Sequence, residues 1–321
     1  MSGARLKIGV LMGGISSERE VSLVSGRCVA AGLRRAGHRV TEIIVGPGFP
    51  AGADAVHDQD VLFNALHGFF GEDGQVQTIL DGLGLAYTGS GPAASRLLMD
   101  KVAAKRVLAA EGIATPPGFV LGPDDPPHIA EGFGLPLVVK PPDAGSSVGV
   151  TIVRTPEAFA PAVVAARAHG RQVLVETFIK GREITVGVVG DMVLPVVELR
   201  PAREFYDYTA KYEDAGTQYL CPAPLPAVQA EAAGAIALRA FRACGCRDLC
   251  RFDMIVAGDG GLFVLEGNSI PGFTDHSLLP MAARTAGISF EELCDRIARM
   301  ALARRRKTAG AAGMHSERST Q

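Results

Sequence analysis

Tryptophan is absent from the 321 residues, and aromatic side chains make up only 6% of them. Proteins that hold unpaired bases use aromatic stacking platforms, so a single-strand nucleic-acid surface is excluded. Charge of one sign is also missing. Lysine and arginine number 32 against 34 acidic residues, a net charge of −2. That balance offers no field for a nucleic acid or an anionic membrane. No apolar run approaches the roughly 20 residues of a membrane span. The run before Gly13-Gly14 is too short for the core of a secretory leader, so a cytoplasmic protein is expected. The six cysteines, three of them crowded into 244–250, include no Cys-x-x-Cys pair. Zinc spacing is therefore lacking, and free, mostly buried thiols are the expectation. Two phosphate motifs are missing as well. There is no G-x-G-x-x-G and no G-x-x-x-x-G-K-[ST], which excludes a dinucleotide fingerprint and a Walker-type site.

What is present describes an ordinary globular chain, 47% hydrophobic and 21% charged, with length for two or three domains. Leu6 to Met12 reads as a buried strand. A Gly13-Gly14 turn follows, and then a helix from about Glu18 to Ala36 with Ser16 or Ser17 as its cap. Strands are expected at 39–45 and 61–66. The third strand ends in His67-Gly-Phe-Phe-Gly-Glu-Asp-Gly74, a turn-rich loop of the kind that gathers ligands at the carboxyl edge of an open α/β sheet. A plain strand-to-helix connection would read the same way.

Further on, Leu135 to Lys140 is a strong strand and 150–154 another. Between them lies Pro141-Pro-Asp-Ala-Gly-Ser-Ser-Val-Gly149. Backbone N–H groups of such a Gly/Ser hairpin can fold over phosphate oxygens, and Lys140 adds charge at its root. Glu176 and Glu183 sit within apolar strands, where a carboxylate requires a partner. Ribose, adenine, a metal or an internal cation would all serve. Residues 203–222 hold four of the five tyrosines with no clean period, as a lid or binding loop would. Lys211 and Tyr212 are its candidate ligand contacts. From Arg304 the chain turns basic, then small and polar, and disorder is expected.

The stretch Arg251 to Ser277 is the richest. Asp259-Gly260 signals a hairpin. A two-residue loop pairs Gly258 with Gly261, so paired numbers sum to 519. Asp253 then faces Glu266 and Arg251 faces Asn268, all on one side of the ribbon. Two opposed carboxylates and an amide oxygen among apolar neighbours suit a hard divalent cation such as Mg²⁺ held with phosphate. A polar hairpin edge with a chance salt bridge to Arg251 is the rival reading.

Taken together, the segments resemble the D-alanine–D-alanine ligases of the ATP-grasp superfamily. The resemblance runs from about Lys7 to Ala303. It rests on Met12-Gly-Gly-Ile-Ser-Ser-Glu-Arg-Glu-Val-Ser22, the 67–74 loop, Tyr87-Thr-Gly-Ser-Gly91, Met99-Asp-Lys101 and Lys140-Pro141. It continues through Gly145-Ser-Ser-Val-Gly149, Phe205-Tyr-Asp-Tyr208, Lys211-Tyr212, Arg251-Phe-Asp253, Leu265-Glu-Gly-Asn268, Pro271-Gly-Phe-Thr and His276-Ser-Leu. Gly267 and Ser269-Ile270 depart from the residues more usual in the family.

The resemblance implies an α/β fold in which an N-terminal Rossmann-like parallel sheet is joined to two α+β subdomains that clasp ATP. The expected borders are 1–100, 101–182 and 183–305, with a disordered tail over 306–321. It implies ATP-dependent joining of two D-alanines through an acyl phosphate, for peptidoglycan precursors and hence cell shape. In this reading Asp253, Glu266 and Asn268 hold two Mg²⁺, with Mn²⁺ as a substitute. Lys101, Lys140, Gly145, Ser147, Gly149 and Lys211 grasp the phosphates, while Glu176 and Glu183 meet adenine and ribose. Glu18 holds the ammonium of the first D-alanine, linked by hydrogen bonds to Ser146 and Tyr212. Arg251 and the Gly272 amide stabilise the oxyanion, and Ser277 binds the second carboxylate. His67 orients groups or contributes charge near the first subsite. A homodimer is implied. Rival readings are a ligase that takes D-lactate or D-serine second, and a nucleotide-binding protein without catalysis.

Overall fold

The computed structural model describes residues 4–51, 54–145, 148–201 and 216–318, with side chains as far as Arg306. β1 (Lys7–Gly13), β2 (Arg39–Val45) and β3 (Val61–Asn64) form a parallel sheet in the order β2-β1-β3. α1 (Arg19–Arg35) makes the crossover from β1 to β2. Beyond the exposed Lys7, β1 is apolar because both its faces are covered. Ile8, Val10 and Met12 pack in one core with Val29 and Leu33 of α1, and Leu11 packs in another with Val76 and Leu80. The latter two belong to α2 (Gln75–Gly82), which follows the 67–74 loop. Tyr87 adds a parallel bridge to Leu62.

α3 (Pro92–Met99) and α4 (Lys101–Ala110) meet at Asp100, whose carboxylate accepts from the amides of Val102 and Ala103. This cap fixes the position of Lys101 in the first turn of α4. β4 (Gly118–Leu121), β5 (Leu137–Lys140), β6 (Thr151–Val153) and β7 (Val173–Thr177) form an antiparallel sheet ordered β4-β7-β5-β6. α5 (Phe159–Arg167) covers one of its faces through Phe159, Ala162, Val163 and Ala166.

The third sheet is antiparallel. It is built from β8 (Gly181–Val189), β9 (Met192–Val193), β10 (Val197–Arg200), β11 (Gln218–Leu220), β12 (Leu249–Ala257) and β13 (Leu262–Asn268). Its order is β11-β10-β8-β12-β13, with β9 against β8. α6 (Ala227–Ala243) lies against one face, where Ile184, Val186, Phe252, Met254 and Val264 meet Ala233 and Ala237. α7 (Leu278–Thr285) and α8 (Phe290–Arg318) return the chain to the first sheet, since Leu293 and Ile297 share a core with Ile8 and Val10.

Three local expectations change. α8 continues as helix to Arg318, where a disordered tail was expected after 305, and Arg304 within it is tied down. A border at 182/183 would cut β8, which begins at Gly181. Part of the expected lid, 218–220, is the edge strand β11, while Phe205, Tyr206, Asp207, Tyr208, Lys211 and Tyr212 lie outside the described residues, as do Ser146 and Ser147.

The β12–β13 ribbon keeps the expected partners by a different route. Asp253 pairs with Glu266 and Arg251 with Asn268. Near the turn, however, Met254 pairs with Val264 and Val256 with Leu262, one number short of the expected sum. The turn has three residues, 258–260, closed by bonds from the Gly260 amide to the Ala257 carbonyl and from the Ala257 amide to the Gly261 carbonyl. Gly260, at φ 90°, supplies the left-handed residue that such a loop requires. A β-bulge at Leu265 then inserts one residue and restores the register. It allows Val264 and Gly267 to face the core while Glu266 and Asn268 face the opposite side.

Candidate active site

The site lies on the side of the third sheet away from α6. Directly opposed residues share a face, so pairing of Asp253 with Thr185 and of Ile255 with Glu183 puts Glu183, Thr185, Arg251, Asp253, Glu266 and Asn268 on one surface. Asp253 is held by three hydrogen bonds from two side chains. Arg251 Nε and Nη2 each donate to a carboxylate oxygen at 2.9 Å, and the Thr185 hydroxyl donates to Oδ1 at 2.5 Å. Glu266 Oε2 stands 3.1 Å from Lys101 Nζ, which also donates to the Ala144 carbonyl at 2.8 Å. Lys101 thereby joins the metal-candidate ribbon to the loop leading into 145–149. Asn268 Oδ1 accepts from the Ile270 amide, and its carbonyl takes the Cys250 thiol at 3.1 Å.

Lys140 and Glu176 project from the face of the second sheet not covered by α5. Glu176 is only 2% exposed. It pairs with Lys140 at 2.5 Å and with Lys105 of α4. Burial opposes its charge, but Lys140 and Lys105 outweigh that and hold its carboxyl below the usual value. An internal cation thus accounts for this buried acid. Its role in the structure is to hold Lys140, and contact with adenine stands as a proposal.

The third wall comes from the first sheet. Asn64 ends β3 by accepting the Leu66 amide and donating to the Gly71 carbonyl. The 67–74 loop then curls on itself. Glu72 Oε2 accepts the Gly68 amide at 2.6 Å, and Asp73 accepts those of Phe70 and Gln75. Gly68 has φ 69°, and a Cβ there would fall 2.6 Å from Glu18 Oε2. Only glycine fits a left-handed position that close to another side chain. A Cβ on Gly145 would lie 3.9 Å from the same oxygen, so Glu18 stands between the first-sheet loop and the 145–149 loop. The expected serine cap of α1 takes another form. Glu18 occupies the boundary with no side-chain cap, while Ser16 accepts the Glu18 amide and donates to the His67 carbonyl at 2.6 Å.

His67 is 6% exposed, and burial pushes its imidazole down to about 4. That direction favours the neutral ring, and so the orienting role of the two expected. The loop after β13 carries the other expected contacts. Ser277 Oγ accepts the Thr274 amide at 2.9 Å and bonds the Thr274 hydroxyl at 2.8 Å. A Cβ on Gly272 would lie 3.0 Å from Ser277 Oγ, so the two stand side by side.

Sequence reasoning missed Thr185, Lys105 and Glu72. Strand alternation from Glu183 would have placed Thr185 on the site face. Lys105 follows Lys101 by one helical turn. Glu72 lay inside a recognised loop without a role. Burial and the neighbouring Glu18 push its carboxyl up to about 8, against the pull of the Gly68 amide and Arg251.

The donor set fits a magnesium-like ion. It comprises two carboxylates directly across a ribbon, beside an amide oxygen, and it contains no soft ligand. Among the described residues no three His, Cys, Asp or Glu side chains gather as a metal cluster. An open parallel sheet, two antiparallel sheets and facing lysines around such a ribbon define an ATP-grasp enzyme. The family profile described as D-ala D-ala ligase C-terminus matches residues 118–299. The D-alanine–D-alanine ligase of Geobacter sulfurreducens is 45% identical over 295 residues, covering 91% of this chain and 92% of that protein. The ligase of Gluconobacter oxydans is 45% identical over 306 residues, with 93% and 100% covered. The crystal structure of the Bacillus anthracis D-alanine–D-alanine ligase complexed with ATP superposes with a TM-score of 0.83 at 34% identity, covering 94% of this chain and 99% of that one. The chain belongs to the D-alanine–D-alanine ligase family.

Proposed function

We propose that this protein joins two D-alanines to D-alanyl-D-alanine at the expense of ATP. A carboxylate oxygen of the first D-alanine attacks the γ-phosphorus, and the bond from that phosphorus to ADP breaks. The amine of the second attacks the acyl phosphate carbonyl, and phosphate leaves as the dipeptide forms. The observation that carries the reading is the Lys101–Glu266–Asp253–Arg251 cluster opposite Glu18 and Gly145. One region thus offers cations for phosphate and an anion for a substrate ammonium.

Such chemistry depends on positioning and charge neutralisation. Lys101, Lys140, Lys211, Gly145, Ser147 and Gly149 would bind phosphates, and Glu176 and Glu183 the nucleoside side. Glu18, with Ser146 and Tyr212, would hold the first D-alanine. Ser277 would bind the carboxylate of the second. Arg251 and the Gly272 amide would meet the oxyanion, and His67 would orient the neighbouring backbone. Asp253, Glu266 and Asn268 would hold two Mg²⁺, which supply charge against the phosphate oxygens. A peptidoglycan role, cytoplasmic location, homodimeric state and division after 100 and after 182 belong to the same proposal. Among the described residues no helix is long and apolar enough to cross a membrane.

The test is phosphate release by the purified protein with ATP, Mg²⁺ and D-alanine, with the product analysed by mass. D-Alanyl-D-alanine is expected, and Glu266→Gln should lose most of the activity. Phosphate release that ignores D-alanine, or an ester formed in preference when D-lactate is added, would overturn the substrate reading. Full activity of Glu266→Gln would overturn the metal assignment.

A further inference from the structure

Ser25 has no place in the roles above, yet it is 1% exposed in α1 and its hydroxyl spans two other segments. Its Oγ lies 3.2 Å from His67 Nε2 and accepts the Phe273 amide at 3.3 Å. The His67 ring is hydrogen-bonded as well to the backbone of Ile270, a contact that favours its protonated form and so places a ring N–H on the carbonyl. A ring N–H given to Ile270 leaves the other nitrogen to accept the Ser25 O–H. The chain of bonds therefore runs from the Phe273 amide through Ser25 and His67 to Ile270. It brackets the four residues Ile270-Pro-Gly-Phe273 from both ends. Phe273 is anchored from below too, with its ring edge-on to Phe63 at 5.5 Å. Asn268 holds the Ile270 amide and Ser277 the Thr274 amide. Among the described residues the Gly272 amide takes no part in these bonds, and it lies in the middle of the clamped segment.

We infer that Ser25 is a positioning residue, acting with His67 to hold the Gly272 amide for the second half of the reaction, the attack of the amine on the acyl phosphate. The inference rests on the proposed ligase activity. Its reach is specific because the side-chain bonds of the bracket converge on the backbone on either side of Gly272. A donor displaced by a fraction of an ångström loses most of its effect on a developing charge. Nucleotide binding and acyl phosphate formation do not use that donor.

The experiment compares Ser25→Ala with Ser22→Ala. Ser22 is buried in the same helix, but its hydroxyl bonds the Gly13 amide and the Ala65 carbonyl instead. Acyl phosphate formation is followed by positional isotope exchange in ATP labelled with ¹⁸O at the β,γ-bridge, with D-alanine present. Dipeptide formation is followed by product mass, and melting temperature is recorded for each variant. Ser25→Ala should lower dipeptide kcat about 10-fold while exchange and the KM for ATP stay within about twofold, a split that Ser22→Ala at comparable melting temperature does not show. Ser25→Cys, the closest in size, should move in the same direction and covers a poorly folding alanine variant. Equal loss of exchange and turnover, or no loss of turnover, overturns the inference. Wild-type protein that neither exchanges nor forms dipeptide would instead refute the ligase reading itself.

Discussion

Thr185 and His67 show two ways in which a single buried polar group serves this site. Thr185 donates to Asp253 from the neighbouring strand, so the carboxylate is oriented before any cation arrives. Outer hydrogen bonds of this type typically alter metal affinity by 10- to 100-fold. Thr185→Val should raise the Mg²⁺ concentration for half-maximal activity about 10-fold, measured by titrating the purified variant. An unchanged midpoint would remove Thr185 from the site. His67 titrates at about 4 in the folded protein, below its ordinary value. Between pH 6.5 and 4 the unfolded chain binds a proton there that the folded chain does not, so stability falls as pH falls through that window. Acidification to pH 4 should cost about 3 kcal/mol through this group. Urea denaturation of His67→Gln should show a flatter pH dependence over the same range, and an equally steep one would mean that another group is responsible.

At the scale of the element, the β12–β13 ribbon depends on one bulge and one missing side chain. The bulge at Leu265 brings Glu266 to the site face and returns Gly267 to the core face. There, a Cβ on Gly267 would come 2.8 Å from Leu98 and 2.8 Å from the Phe252 ring. Gly267, which departs from the family's usual residue, is therefore matched to its neighbours in α3 and β12. Gly267→Ala should destabilise by about 1–3 kcal/mol through overpacking. Adding Leu98→Ala should be less costly than the sum of the two single changes. Additive losses in a double-mutant cycle measured by denaturation would show that the contact does not limit packing.

At the scale of the molecule, the first sheet, the third sheet and the last helix are held together by contacts remote in sequence. Asp248 takes a left-handed backbone at φ 60° and is nearly buried. It accepts the Gly89 amide at 2.9 Å and pairs with Arg304 of α8, which also donates to the Tyr87 carbonyl at 2.8 Å. Arg247 lies over the Tyr87 ring and bonds its hydroxyl. The end of the first sheet, the start of β12 and the last helix thus meet at one ion pair. Arg304→Met leaves the Asp248 carboxylate buried without its cation, a loss of about 3 kcal/mol. Truncation after Ala303 should therefore melt well below truncation after Arg306. Equal melting temperatures would make Arg304 dispensable.

Periodicity and turn chemistry were enough to place most strands and helices, because apolar alternation and glycine punctuation act locally. The pairing of Asp253 with Glu266 also followed from local rules, although a three-residue turn and a bulge replaced the expected two-residue turn, one offsetting the other. Matched motifs in order supplied the family. What local rules could not supply was the partner of each buried charge. Glu176 found Lys105 and Lys140, 71 and 36 residues away in the chain; Asp253 found Thr185, and Arg304 found Asp248. Such pairings are decided by which strands lie side by side and which helix packs on each sheet, and the cost of desolvating an unpaired charge makes them obligatory once the fold has closed. The sequence alone determined which residues are chemically equipped for the reaction. Only the tertiary structure decided which of them meet, and that Ser25 joins them.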